Sequence, residues 1–460
     1  MLEPGGAHGL HDAGPHIRAK CTGKFVLADF DACQRLMMPH TADPEAKLAQ
    51  RRLGTLDHPE LLVRHFAVIR NPRRQACRCR LIPRRQSRTP RQLADLGARV
   101  IKIERPDGGD FARAYDTTTK GLSSHFVWLN RSKESVTLDL KQPAAVDVLH
   151  RLLDRADVFV QNLAPGAAER LGLASAALRA RYPTLIVCNV SGYGNTGPYA
   201  SKKAYDLLVQ GEVGLVSLTG PEETPSRVGV SLADIAAGMY AYAAVQTALL
   251  ARHDTGEGTV LDVSLFDSLA EWMGFPMYHT AYSGRSLPRS GPNHASIAPY
   301  GPFGSTDGRH VILAVQNARE WVRFCADVLQ RTGLTDDERY RTNELRFQHR
   351  PALHAAINEV FAQLSLEEII SRLEKAGIAY GRMNSVPEFL EHPQLTARGR
   401  WTEIGSEVGP LRALRPPVEM EGVEPVMGRV PALGEHTTAI LGELGIDRDT
   451  ITAWKQAGTI

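Results

Sequence analysis

The sequence predicts an α/β protein, with a large parallel-sheet domain followed by a smaller α+β domain. Two observations carry this. From about Leu93 to Ser191, short apolar runs of strand length alternate with helical stretches, and beyond Ala270 a separate hairpin-like pattern is followed by further helices. The chain has 460 residues, 43% of them hydrophobic, which is ample for more than one core. A charged fraction of 23% and a mean hydropathy of −0.23 match an ordinary globular chain rather than a disordered polymer. The longest apolar runs, such as Ala241–Leu250, fall short of the ~20 residues of a membrane span. No apolar h-region follows the first basic residues, so a secretory signal is not expected and a cytoplasmic location is.

The elements follow in order. "LADLGA" reads as the end of a helix closed by Gly97. "RVIKIER" reads as a strand, and "SVTLDLK" (135–141) alternates as a second. Residues 142–155 read as a helix with Val146, Leu149, Leu152 and Leu153 on one face. "DVFVQNL" is an apolar run suited to burial on both faces, a short helix carries Leu178, and "TLIVCNVSGYG" is a strand ending in a glycine-rich turn. This alternation predicts a Rossmann-like parallel sheet with right-handed crossovers, which takes ligands beyond the carboxyl ends of its strands. In the second region, "GSTDGRHVILAV" has a hairpin pattern and helices are expected near 318–331 and 366–376. Beyond 397 come prolines 410, 416, 417, 425 and 431, then "LGEHTTAILGELG" as a terminal helix. The expected division is an atypical segment 1–90, a large domain 91–269, a small α+β domain 270–396, and a segment 397–460 returning to the large domain.

Residues 1–90 show no sustained period and no strong strand. Residues 70–91 hold nine arginines and no acid, so removing them from a net charge of +3 leaves −6 for the rest. The body is mildly acidic, which argues against a broad nucleic-acid-binding surface. Of six cysteines only Cys77 and Cys79 are close together, and a lone C-x-C is a weak zinc signal, so free thiols in a reducing compartment are expected.

Chemistry is expected first at Asp234. It follows an apolar, strand-like stretch and precedes the long helix "IAAGMYAYAAVQTALLA". A carboxylate at a helix N-terminus is stabilised as an anion and can act as a nucleophile on an activated acyl group, although the same position also suits a plain cap. Asp206 stands at another helix start, beside Lys202, Lys203 and Tyr205. Arg105, Lys141, Asn162, Arg170 and Lys203 fall at or just after strand ends, where a phosphorylated ligand would meet a parallel sheet. His294 lies in "GPNHASIAPYG" with no metal-ligand spacing around it. G-x-G-x-x-G, the P-loop, H-E-x-x-H and G-x-S-x-G are all absent.

From Leu93 onward the chain resembles the class III (CaiB/BaiF-type) CoA-transferases. The strings that carry the resemblance are "LADLGARVIKIERP", "LNRSKESVTLDLK", "DVFVQNLAPGAAERLGL", "SGYGNTGPYASKKAYDLL", "GVSLADIAAGMYA", "TGEGTVLDVSLFDS", "IAPYGPF" and "LGEHT". The resemblance implies that Asp234 attacks a donor acyl-CoA and carries CoA as an aspartyl thioester. It implies CoA contacts at Arg105, Leu138, Lys141, Asn162, Leu163, Arg170 and Lys203, with Asp206 an acidic neighbour of the active site. It also implies an interlocked homodimer, CoA thioesters as substrates, and no permanently bound cofactor or metal. The text around Asp234 and His294 is similar to members that act on short dicarboxylic acids such as succinate, glutarate, mesaconate, itaconate or citramalate, with succinyl-CoA the expected donor. His294 becomes a candidate contact of the acid's second carboxylate, and Tyr205, like Asp206 and His294, a candidate neighbour of the active site. The superfamily's α-methylacyl-CoA racemases carry a histidine where this chain has Tyr205, and a phenol of pKa about 10 is a poor base at neutral pH. The family's first strand and its CoA-touching Ala-Gly-Pro turn have no counterpart. "CRCRLIPRRQSRTPRQ" stands there instead, a pattern expected of a shifted reading frame, which would leave the first strand missing and the enzyme impaired.

Overall fold

The computed structural model describes residues 66–70 and 89–460. Its main sheet has six strands: β1 (Phe66–Arg70), β2 (Arg99–Glu104), β3 (Glu134–Thr137), β4 (Val158–Gln161), β5 (Ile186–Ser191) and β6 (Val260–Ser264), in the order β3-β2-β1-β4-β5-β6. β2 is parallel to β3, and β4, β5 and β6 are parallel to one another. β1 lies between the two groups and is antiparallel to both neighbours, with Val68 opposite Ile101 and Phe159. The other five strands therefore run the same way, and their carboxyl ends emerge on one edge.

Two expectations are corrected here. The N-terminal stretch does supply a strand, and the sheet is not wholly parallel. Without a strand between them, β2 and β4 would face each other with unpaired peptide groups in the middle of the sheet. "FAVIR" has the aromatic and β-branched residues suited to such a slot. The chain enters β1 level with Ile103 and Gln161, on the carboxyl edge, and leaves at Arg70, level with Arg99, on the opposite edge. Cys77, Cys79 and the arginines from Arg73 to Arg88 lie outside the described residues.

The helices in this part of the chain are α1 (Thr89–Asp95), α2 (Ser124–Asn130), α3 (Pro143–Leu153), α4 (Ala167–Arg170), α5 (Ser175–Arg181), α6 (Asp206–Glu212), α7 (Leu232–Thr255), α8 (Leu265–Trp272) and α9 (Gly274–Ser283), with α1, α3, α5 and α7 packing on the sheet. Along β4 the side chains alternate. Phe159 joins a core with Leu149 and Leu152 of α3, Leu178 of α5 and Ile440 and Ile451 of the C-terminal helices. Val158 and Val160 join Leu93 and Ala94 of α1 and Ala241, Tyr242 and Val245 of α7. Burial on both faces is why these strands read as continuous apolar runs. The chain beyond residue 427 returns to β3: Ser135 N–H donates to His436 Nδ1 (3.2 Å), Thr137 N–H to Thr437 Oγ1 (3.0 Å) and Asp139 N–H to the Thr459 carbonyl (2.8 Å).

A second sheet, β7 (Tyr300–Gly304), β8 (His310–Ala314) and β9 (Ala379–Arg382), is antiparallel and has its own core of Phe303, Trp321, Phe324, Leu353, Ile357, Phe361 and Leu373. Leu366–Ala376, one of the expected helices, starts at a Ser365–Glu368 capping box and stops at Gly377 (φ 62°). A hairpin of β10 (Trp401–Ile404) and β11 (Leu411–Leu414) packs with Phe126 and Val430.

α1 carries a local cost. Gln92 is 2% exposed, and its buried Oε1 has no hydrogen-bond partner. Arg91 is also buried; its Nε lacks a hydrogen bond, and burial, then Arg131, lower its pKa to about 10. An unsatisfied buried acceptor costs about 1–3 kcal/mol. Gln92→Leu, of similar volume, is therefore expected to raise stability by about 1 kcal/mol, read as a higher midpoint in a urea titration. A lower midpoint would show that the carboxamide is held better than the geometry indicates.

Candidate active site

Asp234 is the third residue of α7, a 24-residue helix closed by Gly256 at φ 74°. The middle of α7 packs on the sheet through Ala241, Tyr242 and Val245. Its first turn packs instead with α6 and α8, through Ala233, Val209 and Leu269. α6 follows the turn after β5, and α8 follows β6 directly. The N-terminus of α7 thus stands beyond the carboxyl edge, and the Asp234 side chain is exposed there. The strand-like reading of the residues before it is corrected: 221–230 form a loop, which takes its backbone bonds locally (Ser226 N–H to the Thr219 carbonyl, 2.9 Å) and from Gln210.

Ser231, the N-cap of α7, makes no side-chain cap bond. Asp206, the first residue of α6, caps the helix from outside: its Oδ1 accepts from Ala233 N–H at 2.7 Å and from Asp234 N–H at 3.4 Å. Its Oδ2 accepts from Gln210 Nε2 at 2.7 Å. Gln210 is 0% exposed; it also donates to the Val230 carbonyl (3.4 Å) and accepts from Val228 N–H (3.1 Å). The structure therefore brings Asp206 and Asp234 together. Tyr205 is the N-cap position of α6 and is exposed.

The turn between β5 and α6 closes tightly. A Cβ on Gly192 would lie 2.2 Å from Ala204 Cβ, so only glycine fits. Lys202 stands over the rings of Tyr199 (4.1 Å) and Tyr193 (5.3 Å) and pairs with Glu212 of α6. A polar chain ties the strand ends together. Asn195 and Asn189 both donate to Asp262 Oδ1 (2.6 and 2.8 Å), Gln161 Nε2 donates to Asn189 Oδ1 (2.8 Å), and Leu163 N–H donates to Gln161 Oε1 (2.8 Å). Sequence reasoning missed Gln161, Asn189, Asp262 and Gln210. The visible signal for the first two was a polar residue inside an apolar strand.

Of the remaining expected residues, Arg105, Leu138, Lys141, Asn162 and Leu163 follow the ends of β2, β3 and β4. Arg105 follows β2, donates to the Gly109 carbonyl (3.3 Å) and covers Phe111 (4.8 Å). Leu138 and Lys141 follow β3; Leu138 is buried in the core, and Lys141 is exposed. Asn162 and Leu163 follow β4. Leu163 is buried, and the buried Oδ1 of Asn162 has no partner. Arg170 ends α4 and is exposed, as is Lys203 in the turn before α6. His294 stacks on Tyr300 (centroids 5.0 Å apart), and its Nδ1 accepts from Ser296 and Ile297 N–H (3.2 Å each). The segment before it meets the α6–α7 loop, with Gly291 N–H donating to the Gly220 carbonyl (3.1 Å).

Burial in β5 pushes the Cys188 thiol up to about 12, so this cysteine is not a nucleophile at neutral pH. Among the described residues no cluster of three His, Cys, Asp or Glu could hold a metal. What this part of the molecule offers is an exposed carboxylate at a helix N-terminus and exposed cations, chemistry compatible with acyl transfer from an anionic carrier.

Comparison with known proteins agrees. The family model of CoA-transferase family III matches residues 89–437, and the chain belongs to that family. It is a CoA-transferase. The succinate–glutarate CoA-transferase of Agrobacterium fabrum is 35% identical over 370 residues, 78% of this chain and 92% of that one. The human succinyl-CoA:glutarate CoA-transferase is 32% identical over 356 residues, 76% of this chain and 81% of that protein. A crystal structure of a CaiB/BaiF family protein from Brucella suis superposes with a TM-score of 0.69 at 34% identity, covering 77% and 94% of the two chains.

Proposed function

We propose that the enzyme moves CoA from an acyl-CoA donor, with succinyl-CoA the leading choice, to a short carboxylic or dicarboxylic acid through an aspartyl-CoA thioester on Asp234. The observation that carries this is an exposed carboxylate at the N-terminus of α7 on the carboxyl edge of the sheet, with the capping of that helix taken over by Asp206.

The Asp234 carboxylate attacks the donor carbonyl, the C–S bond breaks, and CoA thiolate leaves a mixed anhydride. The thiolate attacks the aspartyl carbon, the donor acid departs as its carboxylate, and the aspartyl-CoA thioester remains. The acceptor carboxylate then attacks that thioester, releasing thiolate and forming a second anhydride. Thiolate attack on the acceptor's acyl carbon gives the new acyl-CoA and restores Asp234. One thioester replaces another, so the reaction is near thermoneutral and needs neither ATP nor metal. Covalent capture divides the exchange into easier steps.

CoA is read as lying along the strand ends. Arg105, Lys141, Arg170 and Lys203 supply charge, and Leu138 and Leu163, with buried side chains, supply only main chain. The orphaned Asn162 Oδ1 fits a donor group of the ligand. Asp206 and Tyr205 are the proposed neighbours of the active site, and His294 the proposed contact of a second carboxylate on the acid. Residues 91–269 with 397–460 form the CoA-binding domain on this reading, and 270–396 the small domain.

A homodimer is supported by α9, which buries none of its residues and exposes Phe275, Met277, Tyr278 and Tyr282. A cytoplasmic enzyme fits helices of which none, among the described residues, is long and apolar enough to cross a membrane.

The test is a panel of acids with succinyl-CoA as donor, followed by formation of the new thioester. Turnover of short mono- and dicarboxylic acids is expected; turnover confined to long-chain or aromatic acids would reject the substrate assignment.

A further inference from the structure

We propose that Gln210 is a positioning residue of the reaction: its carboxamide holds the Asp206 carboxylate against the N-terminus of α7 and so sets how Asp234 is presented. This rests on the reading of Asp234 as the nucleophile. α7 begins with N–H groups that its own N-cap residue does not satisfy. Asp206 meets two of them, at Ala233 and Asp234. A helical aspartate near an N-terminus can fold back onto such N–H groups, and a nucleophile bound that way is blunted. With Asp206 on these donors, the helix field still acts on Asp234 while the N–H groups are engaged elsewhere.

Asp206 can do this only if it is held. Gln210 holds it from a fully buried position and in the same step fixes the loop entering α7, through Val228 N–H and the Val230 carbonyl. A carboxamide suits this task because it donates and accepts at once and carries no charge. An arginine or lysine there would pair with Asp206 and quench its charge.

The experiment uses the full-length enzyme with Gln210→Met and Gln210→Glu, assayed for kcat, KM and pH dependence. Gln210→Met keeps the volume and loses the bonds. Its kcat is expected to fall about 10–100-fold with KM for acyl-CoA moving less than about 3-fold. The Gln210→Glu carboxyl can donate to Asp206 only when protonated, so its activity is expected to rise as pH is lowered, unlike that of the unaltered enzyme. A Gln210→Met kcat within about 2-fold of the unaltered enzyme, a loss expressed in KM alone, or an unchanged pH profile for Gln210→Glu overturns the proposal. Asp234→Asn is run beside them. If it keeps turning over, the nucleophile assignment fails and this inference with it; if it is inactive while Gln210→Met is normal, only the clamp fails.

Discussion

Asp234→Asn is expected to lower kcat by at least about 1,000-fold, because an amide of the same shape cannot form the anhydride or carry the thioester. The change keeps the two bonds that Asp206 accepts from the Ala233 and Asp234 main-chain N–H groups at the start of α7. The melting temperature should therefore stay close to that of the unaltered protein, which separates loss of chemistry from loss of fold. The direct readout is mass spectrometry after incubation with succinyl-CoA and hydroxylamine. A hydroxamate is expected on the peptide carrying Asp234 and is expected to be absent from the variant. Exchange of label between free acids and their thioesters at an undiminished rate in Asp234→Asn would remove the proposed mechanism.

The second large effect is expected at Val68. It is the middle residue of β1 and lies between Ile101 and Phe159, so β1 is hydrogen-bonded on both sides. Proline there removes a ladder donor and clashes in a central strand, a loss of about 3 kcal/mol or more. That is a large share of a net stability of about 5–15 kcal/mol. Val68→Pro is expected to give insoluble or non-cooperatively melting protein, while Val68→Ile should behave normally. If Val68→Pro purifies and melts like the unaltered protein, Phe66–Arg70 does not complete the sheet. The same pair of variants tests whether the N-terminal stretch is a working part of the enzyme, because the family match begins only at Thr89.

Much of the molecule was legible from local pattern. β2, β4 and β5, the helix facing them through Leu149 and Leu152, and the Leu366–Ala376 helix fall where their periods predict, whereas the strand expected over 135–141 stops at Thr137. The edge strand β6, with its exposed Val260 and Asp262, and the hairpin β10–β11 went unread, because short, partly exposed strands carry little apolar contrast. In the site, Asp234 was legible because a long helix following an aspartate is a local signal. Its helix-capping partner was not, because Asp206 and Ala233 are distant in sequence and meet only when α6 packs on α7.

What the sequence determined by itself was the alternation of strands and helices, the ends of the helices, and the placing of one aspartate at the start of the longest of them. Each depends on side-chain periodicity or on a glycine or cap within a few residues. Only the tertiary structure decided the direction of β1, because a five-residue run can pair parallel or antiparallel and nothing local to it distinguishes the two. It likewise decided that a carboxylate from α6 and a buried carboxamide would frame Asp234, because those bonds exist only between segments that packing brings together.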